Sequence, residues 1–115
     1  MVHKGSCHCG GIAFEVEGEI TGGVTCNCSI CQRKGAVMWF VTHDQFKLKT
    51  PETAMSTYTF NKHVINHRFC PTCGMHPFGE GTAPGGKRML FVNLRCVEDI
   101  DLDAVPVKSF NGRAL

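Results

Sequence analysis

The sequence lacks the features that would place it in a membrane or on a nucleic acid. No apolar run among its 115 residues approaches the roughly 20 residues that a membrane-spanning helix needs. Charged residues make up only 19% of the chain and the formal net charge is +2, too small and too dispersed for a nucleic-acid footprint. Met1 leads into a cysteine motif without a targeting signal, so we expect a soluble, cytoplasmic protein.

The sequence also lacks an apolar period of 3.6 residues long enough for a major helix, and it has no internal repeat or linker. Short strand-like segments are present instead. Ile12, Phe14 and Val16 alternate with more polar residues, as in a half-buried strand. Further strands are predicted at residues 24–26, 36–42, 46–49, 54–60, 63–69, 88–95 and 107–111, and one helical turn at 29–34. We therefore predict a single all-β domain spanning residues 1–115.

Eight cysteines are the most informative residues of the chain. They form a C-x-C motif, a C-x-C-x-x-C motif, a C-x-x-C motif and one isolated residue: Cys7 and Cys9; Cys26, Cys28 and Cys31; Cys70 and Cys73; and Cys96. A disulfide framework would need a secreted context, which the N-terminus does not supply. A redox pair at Cys70 and Cys73 would need a preceding βαβ pattern, which is missing. The spacing favours metal binding.

The motifs divide naturally into two zinc sites. Structural zinc takes four ligands, often as two pairs from distant segments, and Cys7, Cys9, Cys70 and Cys73 supply such a set. The remaining triplet, Cys26, Cys28 and Cys31, has the three ligands of a catalytic zinc, whose fourth position exchanges.

Cys96 belongs to neither set. We interpret it as a buried core thiol. The alternative is a fourth ligand that closes the triplet site, since structural zinc is four-coordinate.

A few other residues have competing interpretations. Trp39 and Phe40 are most simply core residues, and His67 is a polar residue or a second-layer partner of a metal site. Arg33 and Lys34 directly follow the triplet and are most simply solvated. Their functional interpretation is a cationic rim that attracts a carboxylate-bearing ligand such as glutathione.

Residues 81–87, Gly-Thr-Ala-Pro-Gly-Gly-Lys, imitate a phosphate-binding loop. Arg88 stands where such a loop needs Ser or Thr, and a strand follows instead of a helix. We predict a turn here.

Several motifs in order resemble the glutathione-dependent formaldehyde-activating enzyme family. They are Gly5-Ser6-Cys7-His8-Cys9-Gly10, Phe14-Glu15-Val16, Cys26-Asn27-Cys28-Ser29-Ile30-Cys31 and Phe69-Cys70-Pro71-Thr72-Cys73-Gly74. The later segments, Arg95-Cys96-Val97-Glu98-Asp99 and Ser109-Phe110-Asn111-Gly112, look more like the branch that contains centromere protein V.

That resemblance implies a small, zinc-stapled, all-β fold of the Mss4-like type, built from short antiparallel sheets. It also implies one structural zinc on Cys7, Cys9, Cys70 and Cys73, and a second zinc on Cys26, Cys28 and Cys31. The family's namesake activity joins glutathione and formaldehyde into S-hydroxymethylglutathione, and it is classed as a carbon–sulfur lyase for the reverse direction.

Two functional hypotheses follow. The first is a zinc enzyme that uses Cys26, Cys28 and Cys31 to act on a small thiol such as glutathione and a small aldehyde. The second is a non-catalytic zinc-binding module that contacts a protein partner, because a fold alone does not determine function.

Overall fold

The computed structural model describes residues 1–82 and 86–114. Within that part of the chain, ten strands and one α-helix are connected by turns and short 3-10 segments. The strands are β1 (Val2–Ser6), β2 (Ala13–Glu17), β3 (Gly23–Cys26), β4 (Met38–Val41), β5 (Phe46–Leu48), β6 (Ser56–Tyr58), β7 (Ile65–Phe69), β8 (Phe78–Thr82), β9 (Arg88–Asn93) and β10 (Val107–Phe110). The helix α1 (Ser29–Lys34) lies between β3 and β4.

These strands form two sheets. The smaller sheet has three strands in the order β1-β2-β5, and the larger has seven in the order β10-β3-β4-β9-β8-β7-β6. All pairings are antiparallel except that of β10, which joins β3 in parallel register with Val107 opposite Gly23. The last strand thereby returns to the edge of the sheet next to the strand that ends at Cys26.

The core contains side chains from both sheets. Phe14 of β2 stacks on Phe46 of β5 with ring centroids 5.3 Å apart, and Phe46 approaches Phe78 of β8 at 4.6 Å. Leu90 and Val92 of β9 are 2% and 0% exposed and complete this contact. Leu90 and Val92 alternate with less buried residues along β9, so this strand buries one face of the large sheet against the core.

The sequence predicted most of these elements. The all-β class is confirmed, the predicted helical turn at 29–34 coincides with α1, and the predicted hairpin at 54–69 corresponds to β6 and β7. β1 and β8 were not predicted, and neither was the parallel pairing of β10. The turn predicted over residues 81–87 includes residues 83–85, which lie outside the described residues.

The core assignment of Trp39 is confirmed, but that of Phe40 is wrong. Trp39 is 8% exposed, whereas Phe40 is 48% exposed. Adjacent residues of a strand point to opposite faces, so the run at 36–42 cannot place both rings in one core. Phe40 lies on the sheet face opposite to the core.

The α-helix found among residues 1–82 and 86–114 has six residues, which is too short to span a membrane.

Candidate metal centres

The first cysteine cluster joins the two sheets. Cys7 and Cys9 follow β1 of the small sheet, and Cys70 and Cys73 follow β7 of the large sheet. The Cys7 and Cys9 Sγ atoms are 3.8 Å apart, and the Cys9 and Cys70 Sγ atoms are 3.5 Å apart. All four sulfur atoms lie within 4.8 Å of one another. The spacing in the sequence and the fold thus agree on one four-sulfur group.

Tight turns hold both pairs in place. The N–H of Gly10 donates to the carbonyl of Cys7 at 3.2 Å, and the N–H of Gly74 donates to the carbonyl of Cys70 at 2.8 Å. The N–H of Ile12 also donates to the Cys7 sulfur at 3.2 Å. Each C-x-C or C-x-x-C motif therefore forms a backbone-stabilised loop that directs its two sulfur atoms to one point.

The geometry of this cluster suits a tetrahedral metal ion. Metal–sulfur bonds of about 2.3 Å in a tetrahedron give sulfur–sulfur edges of about 3.8 Å. A disulfide would require a separation near 2.05 Å. All eight cysteines are free thiols, which contradicts a disulfide framework.

The pKa values of this cluster are uneven. The N–H groups of Met75 and Cys9 lower the pKa of the Cys73 thiol to about 6. The N–H of Gly11 lowers the pKa of Cys9, but hydrogen bonds with the thiols of Cys70 and Cys7 outweigh it and raise that pKa to about 11. One thiol thus ionises readily while a neighbour retains its proton. A bound metal cation would favour the thiolate form of all four cysteines.

The second cluster is built around the start of α1. Cys26 ends β3, Cys28 is the N-cap residue of α1, and Cys31 lies in its first turn. The side chains of an N-cap residue and of the residue three positions later lie close together, so the C-x-x-C spacing brings Cys28 and Cys31 side by side. The N–H of Cys28 also donates to the Cys26 sulfur at 3.4 Å. The three sulfur atoms lie within 4.8 Å of one another and could hold a metal ion.

The thiols of this triplet influence each other's ionisation. Burial acts to raise the pKa of Cys28, but hydrogen bonds from the N–H of Cys31 and from the thiols of Cys31 and Cys26 lower it overall. Burial raises the pKa of Cys31 to about 12, and the neighbouring Cys28 adds to the effect. Cys28 is therefore the thiol of this pair that is favoured to lose its proton first.

The segment after β10 covers one side of the triplet. The Asn27 side chain donates to Asn111 Oδ1 at 2.9 Å, and the N–H of Arg113 donates to Asn27 Oδ1 at 3.0 Å. Gly112 lies so close that a Cβ atom there would be 2.4 Å from the Cys26 sulfur. The sequence did not indicate that Asn27 and Gly112 belong near the covering contacts of the triplet, because their partners lie at least 84 positions away along the chain.

A cavity of about 520 Å³ opens beside the triplet. Its lining includes Cys26, Cys28 and Cys31, together with apolar side chains from α1, β4, β9 and β10. The described side chains around the triplet therefore leave room for a small molecule on one side of the three sulfur atoms.

Comparison with known proteins shows the family of the chain. A model of the glutathione-dependent formaldehyde-activating enzyme family matches residues 2–110. The chain belongs to this family. A solved crystal structure of a Rhodobacter sphaeroides protein is also similar, with 26% sequence identity and a TM-score of 0.77. That similarity covers 91% of this chain and 99% of the other.

In this member of the family, Lys34 is not the solvated residue that the sequence suggested. Its Nζ atom lies 3.5 Å from Nδ1 of His67 and 5.2 Å from the centre of the Phe91 ring. Burial lowers the pKa of the Lys34 ammonium, while negative charge on Cys31 and Cys28 acts in the opposite direction. Arg33 does extend along the surface, where it donates to the carbonyl of Ser29 at 2.8 Å.

A second cavity is also lined by residues of α1. It has a volume of about 710 Å³, and its lining includes Arg33, Lys34, Met75 and His76. Ile30 and Phe60 line this cavity and the cavity at the triplet, so the two are neighbours. Its described lining residues include two cations and no carboxylate.

Cys96 lies near the first cluster, not the triplet. The triplet group of potential ligands does not include it. Burial raises the pKa of its thiol to about 11, and the charges of Cys7 and Cys73 add to the effect. The alternative that Cys96 closes the triplet is therefore wrong. Its interpretation as a buried core thiol is also wrong, because Cys96 is only partly buried.

Proposed function

We propose that this protein is a zinc-dependent carbon–sulfur lyase that forms or cleaves adducts between a thiol such as glutathione and an aldehyde. The observation that carries the proposal is the triplet of Cys26, Cys28 and Cys31 beside a cavity of about 520 Å³. Three protein ligands and an accessible side are typical of catalytic zinc, whereas structural zinc has four protein ligands. Family membership supports the same chemistry.

The donor sets also support the choice of metal. Soft thiolate ligands favour zinc over magnesium or calcium, and sulfur atoms within 4.8 Å of each other can converge on one ion. We assign a structural zinc to Cys7, Cys9, Cys70 and Cys73, and a second zinc to the triplet. When bound at the triplet, zinc would supply a Lewis acid that lowers the pKa of a thiol and polarises a carbonyl.

The proposed reaction needs no oxidant or reductant. In the direction of synthesis, the S–H bond of the thiol breaks and a bond forms between its sulfur and the aldehyde carbon. The carbonyl oxygen accepts the proton and becomes a hydroxyl group, and cleavage reverses each step. The chain's contribution is to hold the two reactants together and to exclude water from the apolar cavity.

The second cavity has the charge to bind the rest of glutathione. Glutathione carries two carboxylates, and Arg33 and Lys34 line that cavity without a competing acidic side chain among the described lining residues. Lys34 also contacts His67 and Phe91, two residues that line the cavity at the triplet. We propose that it attracts a glutathione carboxylate and so directs the thiol towards the three sulfur atoms.

Calorimetric titration of the zinc-loaded protein with glutathione tests this proposal. We expect binding, and we expect the protein to accelerate formaldehyde–glutathione exchange measured by NMR. Cys28→Ser should abolish both, whereas Cys96→Ser is a matched control that should retain both. If wild type neither binds nor accelerates exchange, the enzyme proposal fails, and a zinc-binding module that contacts a protein partner replaces it.

We further propose that residues 1–115 act as one domain in the cytoplasm. The family match extends over residues 2–110, which supports a single unit. Eight free thiols suit a reducing compartment.

A further inference from the structure

The outer face of the large sheet carries aromatic rings where a solvent-facing sheet would carry polar residues. Phe40 of β4 pairs with Phe91 of β9, and Phe91 pairs in turn with Gly79 of β8. Directly paired residues share a face, so these positions form one row across the sheet. A Cβ atom on Gly79 would lie 2.1 Å from the Phe91 ring, so only a residue without a side chain leaves space for that ring. Phe40 and Phe91 of this row line the cavity at the triplet.

Apolar side chains also form the walls of this cavity. Ile65 of β7 and Phe110 of β10 line it and are 41% and 49% exposed, and Phe40 is 48% exposed. Met38 and Ile30 complete a small apolar cluster around the three cysteines. On most soluble proteins, exposed apolar residues are scattered one by one over the surface. Several half-exposed apolar side chains around one cavity therefore indicate a binding site for an apolar group.

The size of the cavity does not match formaldehyde. Formaldehyde has two heavy atoms, and the CH₂–SH group of glutathione adds two more. Together they would occupy on the order of 120 Å³, if each atom takes the roughly 30 Å³ of a water molecule in the liquid. The cavity has about 520 Å³, in the range of sites for much larger ligands. Formaldehyde also has no apolar group that could displace water from Phe40, Phe91 or Phe110.

We propose that the aldehyde substrate carries an apolar chain or ring of several carbons, which occupies the cavity lined by Phe40, Ile65, Phe91 and Phe110. This inference rests on the proposed thiol–aldehyde chemistry and assigns its substrate class. The adduct is then an S-(1-hydroxyalkyl) thiol. As before, its carbon–sulfur bond forms while the thiol proton moves to the carbonyl oxygen.

The two neighbouring cavities separate the two halves of such an adduct. The cationic cavity with Arg33 and Lys34 receives the charged peptide of glutathione, and the apolar cavity receives the group derived from the aldehyde. Ile30 and Phe60 line both cavities, so the two are neighbours, and an adduct that occupies both would contact these two side chains. The three cysteines line the apolar compartment.

A series of S-alkylglutathiones tests the inference by binding alone. These thioethers are stable analogues of the adduct, and S-methyl, S-butyl and S-hexyl members differ only in chain length. We expect calorimetric affinity for the zinc-loaded protein to rise about fourfold for each methylene that enters the cavity, until the chain fills it. Exchange kinetics with hexanal and with formaldehyde provide the second readout, and kcat/KM should favour hexanal.

Phe40→Ser tests the location of the chain. Phe40 is half-exposed, so its replacement should leave the fold intact while it flattens the dependence on chain length. Affinity for S-methylglutathione should change little. Val107→Ser is the matched control, because Val107 is 49% exposed and does not line the cavity. It should retain the wild-type dependence.

The outcomes distinguish a wrong substrate class from a wrong lyase activity. Equal affinity for all chain lengths, together with measurable formaldehyde exchange, would overturn the apolar substrate and leave the lyase standing. Affinity that rises with chain length, without exchange of any aldehyde, would overturn the lyase and support the apolar ligand site. If the face is instead covered by a second copy of the chain, sedimentation would show a dimer that S-hexylglutathione does not dissociate, and the inference would fail.

Discussion

Gly112→Ala should selectively disturb the triplet site. The added methyl group would lie 2.4 Å from the Cys26 sulfur and 3.1 Å from Cys28 Cβ. Nonbonded heavy atoms rest near 3.5–4.0 Å, so residue 112 must retreat by about 1 Å. That displacement would disturb the hydrogen bonds of 2.9 and 3.0 Å that join Asn27 to Asn111 and Arg113.

The size of the effect follows from those contacts. Each hydrogen bond contributes about 1 kcal/mol net, and less where it is exposed. Loss of both would therefore lower the free energy that holds the covering segment against the triplet by about 1–2 kcal/mol. A loss near 1.4 kcal/mol corresponds to a tenfold change in the population that leaves the sulfur atoms uncovered. We therefore expect about tenfold faster release of the first metal equivalent to a chromophoric chelator, with little change in the far-ultraviolet circular dichroism spectrum.

Gly11→Ala is the matched control beside the other cluster. A Cβ atom at Gly11 would lie 3.5 Å from the Cys9 sulfur and 3.8 Å from the Cys70 sulfur, which are ordinary contacts. This variant should release metal at the wild-type rate. Wild-type release from Gly112→Ala, or equal acceleration by both substitutions, would show that the covering segment does not protect the triplet.

Four other outcomes follow from the same geometry. Freshly purified protein should contain close to two zinc ions by elemental analysis, and a mild chelator should remove the triplet zinc first while the fold persists. Cys70→Ser should be unfolded already at 25 °C and show no cooperative transition in a thermal melt, because zinc binding at a structural site contributes more than about 10 kcal/mol to the free energy of folding. Cys28→Ser should remain folded. Lys34→Ala should weaken calorimetric glutathione binding about fivefold, which is about 1 kcal/mol, with a smaller effect at high salt and partial recovery in Lys34→Arg. Burial, with help from Lys34 and His76, lowers the pKa of His67 from 6.5 to about 4, so His67 stays neutral in the fold. Above pH 6.5 His67 is neutral in both the folded and the unfolded state, so its effect on stability does not change with pH there. As the pH falls from 6.5 towards 4, the unfolded state binds a proton that the folded state does not, and the free energy of unfolding decreases. The unfolding free energy of wild type should therefore fall by up to about 3 kcal/mol more than that of His67→Phe over that interval.

Local chemistry explains which parts of the fold could be predicted from the sequence. Cys28 and Cys31 define the start of α1 by their spacing, and Phe14 and Val16 define β2 by alternation, so both elements were found. β8 was missed because Gly79 and Gly81 weaken the strand signal, although close packing against Phe91 requires the first of them. The need for glycine at position 79 comes from Phe91 on the neighbouring strand, so the residues around Gly79 in the sequence do not indicate it.

The candidate site shows the same division. The sulfur clusters could be predicted, because Cys26, Cys28 and Cys31 are close in the sequence and the other set consists of two obvious pairs. The contact of Lys34 with His67 could not be predicted, since 33 residues separate them in the chain. Phe40 was assigned to the core because it belongs to a continuous apolar run. Such a run does not indicate that one face of the strand borders a cavity instead of the core.

The position of β10 has a consequence for how molecules reach the triplet. All four of its residues are exposed, it pairs only at the edge of the large sheet, and the segment after it contacts Asn27 across 84 positions of sequence. Elements with few buried contacts open locally at a lower free energy than the whole fold. Opening of this strand would remove Ser109 and Phe110 from the cavity wall without disturbing the cluster of Cys7, Cys9, Cys70 and Cys73. Exchange of metal and exchange of ligand would then share one rate-limiting event, the local unfolding of a four-residue strand.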